Sequence, residues 1–185
     1  IEQFSFYSHG SLHGTSARFY PNERLQIELH YTNGQLNGVA KSYYDNGTLR
    51  ESANYHNGLI EGDMVQYHPN GLKAARIPYS NGQIHGLSQH WFISGALHLQ
   101  QKYSHGALQG DKDHLANCMF NEDGHLIEAL DYQNGVPSGQ HIRYHANGYE
   151  SYKVNYKNGH KDGLETFLDI SGHLIGCGQY QDNHS

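Results

Sequence analysis

Apolar and polar residues alternate along short stretches of this chain. Leu25, Ile27, Leu29 and Tyr31 are interleaved with Arg24, Gln26, Glu28 and His30, and Leu97, Leu99 and Tyr103 with His98, Gln100 and Lys102. A period of two with one apolar side predicts half-buried antiparallel strands. Between the strands stand Asn-Gly pairs, as in "YTNGQLNGVAKSYYDNGTLRESAN" at residues 31–54, which has them at Asn33-Gly34 and Asn46-Gly47. Such pairs mark tight turns, because Asn and Gly accept the positive φ that those turns need. The pattern therefore predicts a strand over Val39 to Tyr44, a turn at Asp45-Asn46-Gly47, a return strand over Leu49 to Tyr55, and a second turn at Asn57-Gly58 leading out.

The hairpin repeats. Tyr recurs at Tyr7, Tyr31, Tyr55, Tyr79, Tyr103, Tyr132, Tyr156 and Tyr180, at intervals of 24 residues except for one of 29. Gly follows three residues later (Gly34, for example) and again seven residues later (Gly38), and a third Gly closes the inner turn (Gly47). An aromatic lies between, at Phe19, Tyr43, Tyr67, Trp91, Phe120 and Tyr144. The unit reads Y-x-N-G-x-x-x-G-x4-[FYW]-x3-G-x-L-x5, and a fixed period of this length signals a repeat architecture. The units are 7–30, 31–54, 55–78, 79–102, 103–131, 132–155 and 156–179, with a tail at 180–185, in one array spanning 1–185. The expected fold is all-β: an elongated, curved, single antiparallel sheet of about seven stacked 24-residue hairpins, each in contact mainly with its neighbours. Tyr31, Tyr55, Tyr79, Tyr43, Tyr67 and Trp91 are expected in its core, with Gly34, Gly38 and Gly47 as structural turn and bend positions.

This frame resembles the MORN (membrane occupation and recognition nexus) repeat, and more closely its bacterial variant, whose units read Y-x-N-G-x-x-x-G. The resemblance runs from Tyr7 to Tyr180 and departs at three places: Glu23 replaces a turn Gly, Leu168 replaces the aromatic, and the fifth unit has five extra residues. Bacterial chains of this variant look like antitoxin or immunity proteins. The resemblance thus implies a non-catalytic protein that neutralises a cognate secreted effector toxin by covering its active site. The repeat's name implies the alternative, a membrane-associated or scaffolding adaptor. A third role, extension of a catalytic domain, needs a domain that this sequence does not contain.

Composition narrows these choices. The chain of 185 residues has 12 Lys+Arg against 18 Asp+Glu, a formal charge of −6. That argues against nucleic acid, which needs a basic stripe, and against anionic lipid, but it suits a protein partner with a basic face. Hydrophobic content of 36%, much of it in 15 Tyr, predicts a thin sheet and not a thick core. No apolar run approaches the roughly 20 residues that span a bilayer as a helix. The first residue is Ile1 and not Met, which fits either removal of an export signal or a trimmed chain, and the expectation leans slightly to periplasmic over cytoplasmic.

Candidate chemistry is sparse. There is no G-x-S-x-G, P-loop or H-E-x-x-H. Glu61 and Asp63 could meet, but acids so placed are usually solvated. The 16 His sit mostly in turns and on polar faces, such as His9, His13, His56, His105 and His160. Asp111, Asp113, His114 and Cys118 lack a zinc spacing. No cofactor, metal or catalytic residue is expected. Cys118 and Cys177 lie two repeats apart, about 19 Å on a regular sheet, beyond the reach of a disulfide, so free thiols are expected.

Two surfaces remain as candidate contacts with a protein partner bound at 1:1. One is the insertion in "GDKDHLANCMF", with Asp111, Lys112, Asp113, His114 and Leu115, which is either a tolerated loop or a contact loop. The other is the row Tyr20, Tyr44, His68, Phe92 and His145, expected on the exposed face of the sheet, and either an interface or a cross-strand packing layer.

Overall fold

The computed structural model describes residues 2–181, so Asp182–Ser185 of the expected tail lie outside the described residues. Among the described residues every regular element is a strand, nineteen in all, and every pairing is antiparallel. The chain divides into two compact units, the first running to His85 with Ile93–Gly95, the second comprising Gly86–Phe92 and the chain from Ala96 onward.

The first unit contains Gln3–Ser8 (β1), Ser11–Phe19 (β2), Leu25–Thr32 (β3), Gln35–Leu36 (β4), Gly38–Tyr43 (β5), Leu49–His56 (β6), Leu59–Ile60 (β7), Gly62–Tyr67 (β8), Lys73–Ser80 (β9) and Gln83–Ile84 (β10). The second contains Gly86–Trp91 (β11), Leu97–Ser104 (β12), Ala107–Leu108 (β13), Asn117–Phe120 (β14), Leu126–Gln133 (β15), Val136–Tyr144 (β16), Glu150–Lys157 (β17), His160–Leu168 (β18) and Leu174–Tyr180 (β19). β5 and β6 are the hairpin expected from residues 39–55, within one residue at each end. β1 adds a strand ahead of the first sequence unit.

One register recurs. Within β5/β6 the pairs are Gly38↔Tyr55, Ala40↔Ala53 and Ser42↔Glu51. The same Gly-to-Tyr pairing holds at Gly14↔Tyr31, Gly62↔Tyr79, Gly86↔Tyr103, Gly139↔Tyr156 and Gly163↔Tyr180. The repeat's second Gly thus faces the next unit's Tyr in six of the seven units; in the fifth, which has the insertion, Gly110 lies outside the strands and donates its N–H to the Tyr132 carbonyl at 3.1 Å. Side chains at these three rungs share one face, because successive residues of a strand point to opposite sides.

The two Asn-Gly pairs of a unit do different work. At Asn33-Gly34 both residues have positive φ, 49° and 82°, the two-residue type I′ turn that matches strand twist. At Asn46-Gly47 only the Gly is positive, at 89°. Gly47 N–H donates to the Tyr44 carbonyl and Tyr44 N–H to that of Thr48, a type I turn closed by a left-handed residue. The expectation that Asn46 is there for its φ is corrected. Its side chain is what matters: Oδ1 accepts from Thr48 N–H at 2.9 Å, while Nδ2 donates to the Pro69 carbonyl of the next hairpin at 3.3 Å.

The core also differs from expectation. The buried apolar residues are Ala17, Ala53, Ala75, Ala116, Ala129 and Val154. Tyr31, Tyr55, Tyr79, Tyr43, Tyr67 and Trp91 are only half-buried. In so thin a sheet the small side chains at the centre of a face are covered by their larger neighbours. A Tyr can bury its ring and still keep its hydroxyl near water.

Candidate partner-binding surface

The insertion forms an exposed loop of the second unit. Asp111 organises it. Oδ1 accepts from Asp113 N–H and His114 N–H, both at 2.9 Å, and lies 3.4 Å from His114 Nδ1; Oδ2 lies 3.3 Å from Lys102 Nζ. The Asp113 N–H, with Lys102 and His114, holds the Asp111 carboxyl well below the usual carboxylate range, at about 2. The loop's far end is anchored by Ala116, which is fully buried, donates its N–H to Asp131 Oδ1 at 3.1 Å and accepts from Lys102 N–H at 2.9 Å. Between the two anchors, Asp111, Lys112, Asp113, His114 and Leu115 are all exposed.

Beyond the loop, Cys118 on β14 is half-buried, and burial together with the Asp131 charge pushes its thiol up. Cys118 and Cys177 are both free. Among the described residues no group of three or more His, Cys, Asp or Glu is placed to hold a metal ion.

The row expected on the exposed face is half-buried at Tyr20, Tyr44, His68, Phe92 and His145. The Tyr20 hydroxyl donates to the Tyr43 carbonyl at 2.7 Å, the Tyr44 hydroxyl to that of Tyr67 at 2.8 Å, and His145 Nε2 to that of Leu168 at 2.9 Å, each exactly one hairpin further along. These residues sit where the strand enters its inner turn, so their tips reach the next hairpin's backbone instead of solvent. Phe92 lies against His98, ring centres 4.2 Å apart. In the first unit, Tyr20 and Tyr44 line a hollow of about 380 Å³ with Pro21, Asn22 and Asp45. Tyr44 and His68 line another of about 220 Å³ with Arg50, Glu51 and Gln66. The loop residues and Tyr20, Tyr44 and His68 belong to different units.

A charged cluster in the second unit was missed by the repeat pattern. His141, 7% exposed, donates Nε2–H to Glu128 Oε1 at 2.7 Å, and Arg143 Nε donates to the same oxygen at 2.9 Å. Burial pushes the Glu128 carboxyl up, but the bonds from Arg143 and His141 outweigh it and hold it below its ordinary value. One hairpin on, Glu165, 4% exposed, is bonded by Lys161, by the Tyr152 hydroxyl at 2.8 Å and by the Tyr180 hydroxyl at 3.1 Å. Lys161 holds Glu165 below the ordinary carboxylate range, and Glu165 raises Lys161 in turn. A signal was present in the sequence. Two residues after the repeat's second Gly stand Ser16, Ala40, Met64 and Ser88 in early units, but His141 and Glu165 in the last two.

Every carboxylate in this cluster is engaged by the chain's own donors, which makes it an internal ion network that fixes adjacent hairpins. No curated protein matches the chain. The family model described as MORN repeat variant matches residues 12–33 and 36–57. Those segments contain β2 with β3, and β5 with β6, the hairpins whose register recurs through the later units. The chain thus carries MORN-variant repeat units at 12–33 and 36–57, and the same sequence frame continues to Tyr180.

Proposed function

We propose that the chain is a non-catalytic binding protein of the immunity or antitoxin kind, which neutralises one secreted effector by covering its active site at 1:1. The observation that carries this reading is the loop at 111–115: its five side chains are exposed, while its backbone is fixed by Asp111 and Ala116. A loop already ordered before contact loses little further freedom on binding, and that raises affinity for a given area. Its mixed charges and Leu115 suit a protein surface, and the net charge of −6 favours a basic partner.

The test is co-expression with the effector encoded beside it. The wild-type chain restores growth and co-purifies at 1:1. Replacing Asp111–Leu115 by a two-residue Gly turn lowers affinity at least tenfold while the circular dichroism spectrum is kept. Absence of rescue by the wild-type chain refutes the immunity role, and flotation of the chain with liposomes in the same preparation would favour the adaptor role instead.

A further inference from the structure

Internal repetition allows one site to be compared with another in the same chain. Glu51 and Glu128 hold the same repeat position, four residues before Tyr55 and Tyr132. Both face the strand of the following hairpin in the same register, Glu128 opposite Arg143 and Glu51 opposite Gln66. At Glu128 the next strand supplies two cationic or polar N–H donors, Arg143 Nε and His141 Nε2. At Glu51 the corresponding residues are Gln66 and Met64. Gln66 Nε2 donates to Glu51 Oε2 at 2.9 Å, and among the described residues no cation lies within ion-pair distance of Glu51.

The preceding strand differs in the same sense. Glu128 and Leu130 face Met119 and Asn117. Glu51 and Ala53 face Ser42 and Ala40. Three small side chains, Ala40, Ser42 and Ala53, therefore meet on one face, where every other unit has at least one larger side chain, such as Arg18, Gln66, His90 or Arg143 at the position of Ser42. The result is a hollow of about 190 Å³, lined by Ile27, Leu29, Tyr55 and Glu51. Glu51 and Tyr55 border the same hollow, and burial and then the Glu51 charge raise the Tyr55 phenol. Lys41 also borders the hollow, but its register partners are Ser52 and Glu28, which alternation puts on the other face of the sheet.

We propose that the hollow beside Glu51 receives one arginine side chain of the protein partner, its alkyl stem against Ile27, Leu29 and Ala40, above the buried Ala53, and its guanidinium on Glu51. This rests on the binding-protein reading. The guest supplies from outside what Arg143 supplies to Glu128 from within. Arginine fits better than lysine because a guanidinium is more weakly hydrated and offers planar N–H donors, as Arg143 does, so bringing it against a half-covered carboxylate costs less. The apolar walls suit a methylene stem, which long cationic side chains lay along such surfaces.

The test uses n-butylguanidinium as probe, titrated into the 185-residue protein and followed at the Ala40 and Ala53 methyl resonances. Saturable shifts are expected at both methyls, in the millimolar range. Glu51→Gln should weaken binding at least tenfold, and n-butanol at equal concentration should not reproduce the shifts. Gln66→Arg places an internal cation where Arg143 stands in the other site. It should keep the melting temperature at or above that of the wild type and abolish probe binding. Absent shifts, or equal binding in Glu51→Gln, overturn the proposal. So does undiminished binding in Gln66→Arg, which decides the matter if Glu51→Gln proves unfolded. The binding-protein reading fails separately, on whether the wild-type chain captures and neutralises its effector.

Discussion

At the scale of single residues, the turns carry both the regularity and the strain. Glu23 stands where later units have Gly, and it is held at φ 65°. A side chain with Cβ in that region costs about 1–2 kcal/mol, so Glu23→Gly is expected to stabilise the first unit by about 1 kcal/mol, measured as a shift in the urea midpoint. The opposite experiment is Gly82→Ala. Gly82 has φ 76°, and an added Cβ would lie 3.0 Å from Leu59 Cδ2 of the preceding turn. Strain and overpacking together should cost about 1–3 kcal/mol. The requirement at Gly82 was legible as a recurring Gly. The reason Asn46 recurs was not, because its Nδ2 bonds a carbonyl 23 residues away, and that separation becomes a contact only once hairpins have stacked.

At the scale of elements, strand existence and register were readable because a period of two and a turn every half-unit leave little freedom. The fate of the Tyr20, Tyr44, His68, Phe92 and His145 row was not. Alternation tells which face a side chain leaves from, but the bend into the inner turn directs Tyr20, Tyr44 and His145 to the next hairpin and Phe92 onto His98 of its own. Tyr44→Phe keeps the ring and removes the donor to the Tyr67 carbonyl, so it should cost about 0.5–1.5 kcal/mol. A surface residue of no structural role would cost nothing measurable. The insertion loop gives a test by pH. The Asp111 carboxyl is depressed from its ordinary 3.8 to about 2, so its contribution is complete above pH 3.8 and is lost as pH falls through 2. Amide exchange at Asp113 and His114 should therefore accelerate over that range, and Asp111→Asn should show the faster rates at neutral pH.

At the scale of the molecule, each unit is a stack in which neighbours fix neighbours, so stability is nearly a sum of local terms. The ionic network of the second unit is one such term: Glu165 draws Lys161, Tyr152 and Tyr180 from three consecutive strands onto one carboxylate. The Glu165 carboxyl is depressed, so its contribution is present above the ordinary 4.5 and fades as pH falls through the lower folded value. The Lys161 amine is raised, so its contribution is present below 10.5 and fades as pH rises through the higher folded value. The pair therefore supports the second unit across the whole interval from 4.5 to 10.5. Glu165→Gln should remove that support at neutral pH, costing about 1–3 kcal/mol, and leave Gly82→Ala in the first unit with its own cost unchanged. Urea midpoints of the two single variants and the double variant at pH 7 would decide this. Costs that add mean that the network acts only on its neighbouring hairpins. A coupling of 1 kcal/mol or more between sites so separated in the repeat order would mean that stability is shared well beyond adjacent repeats.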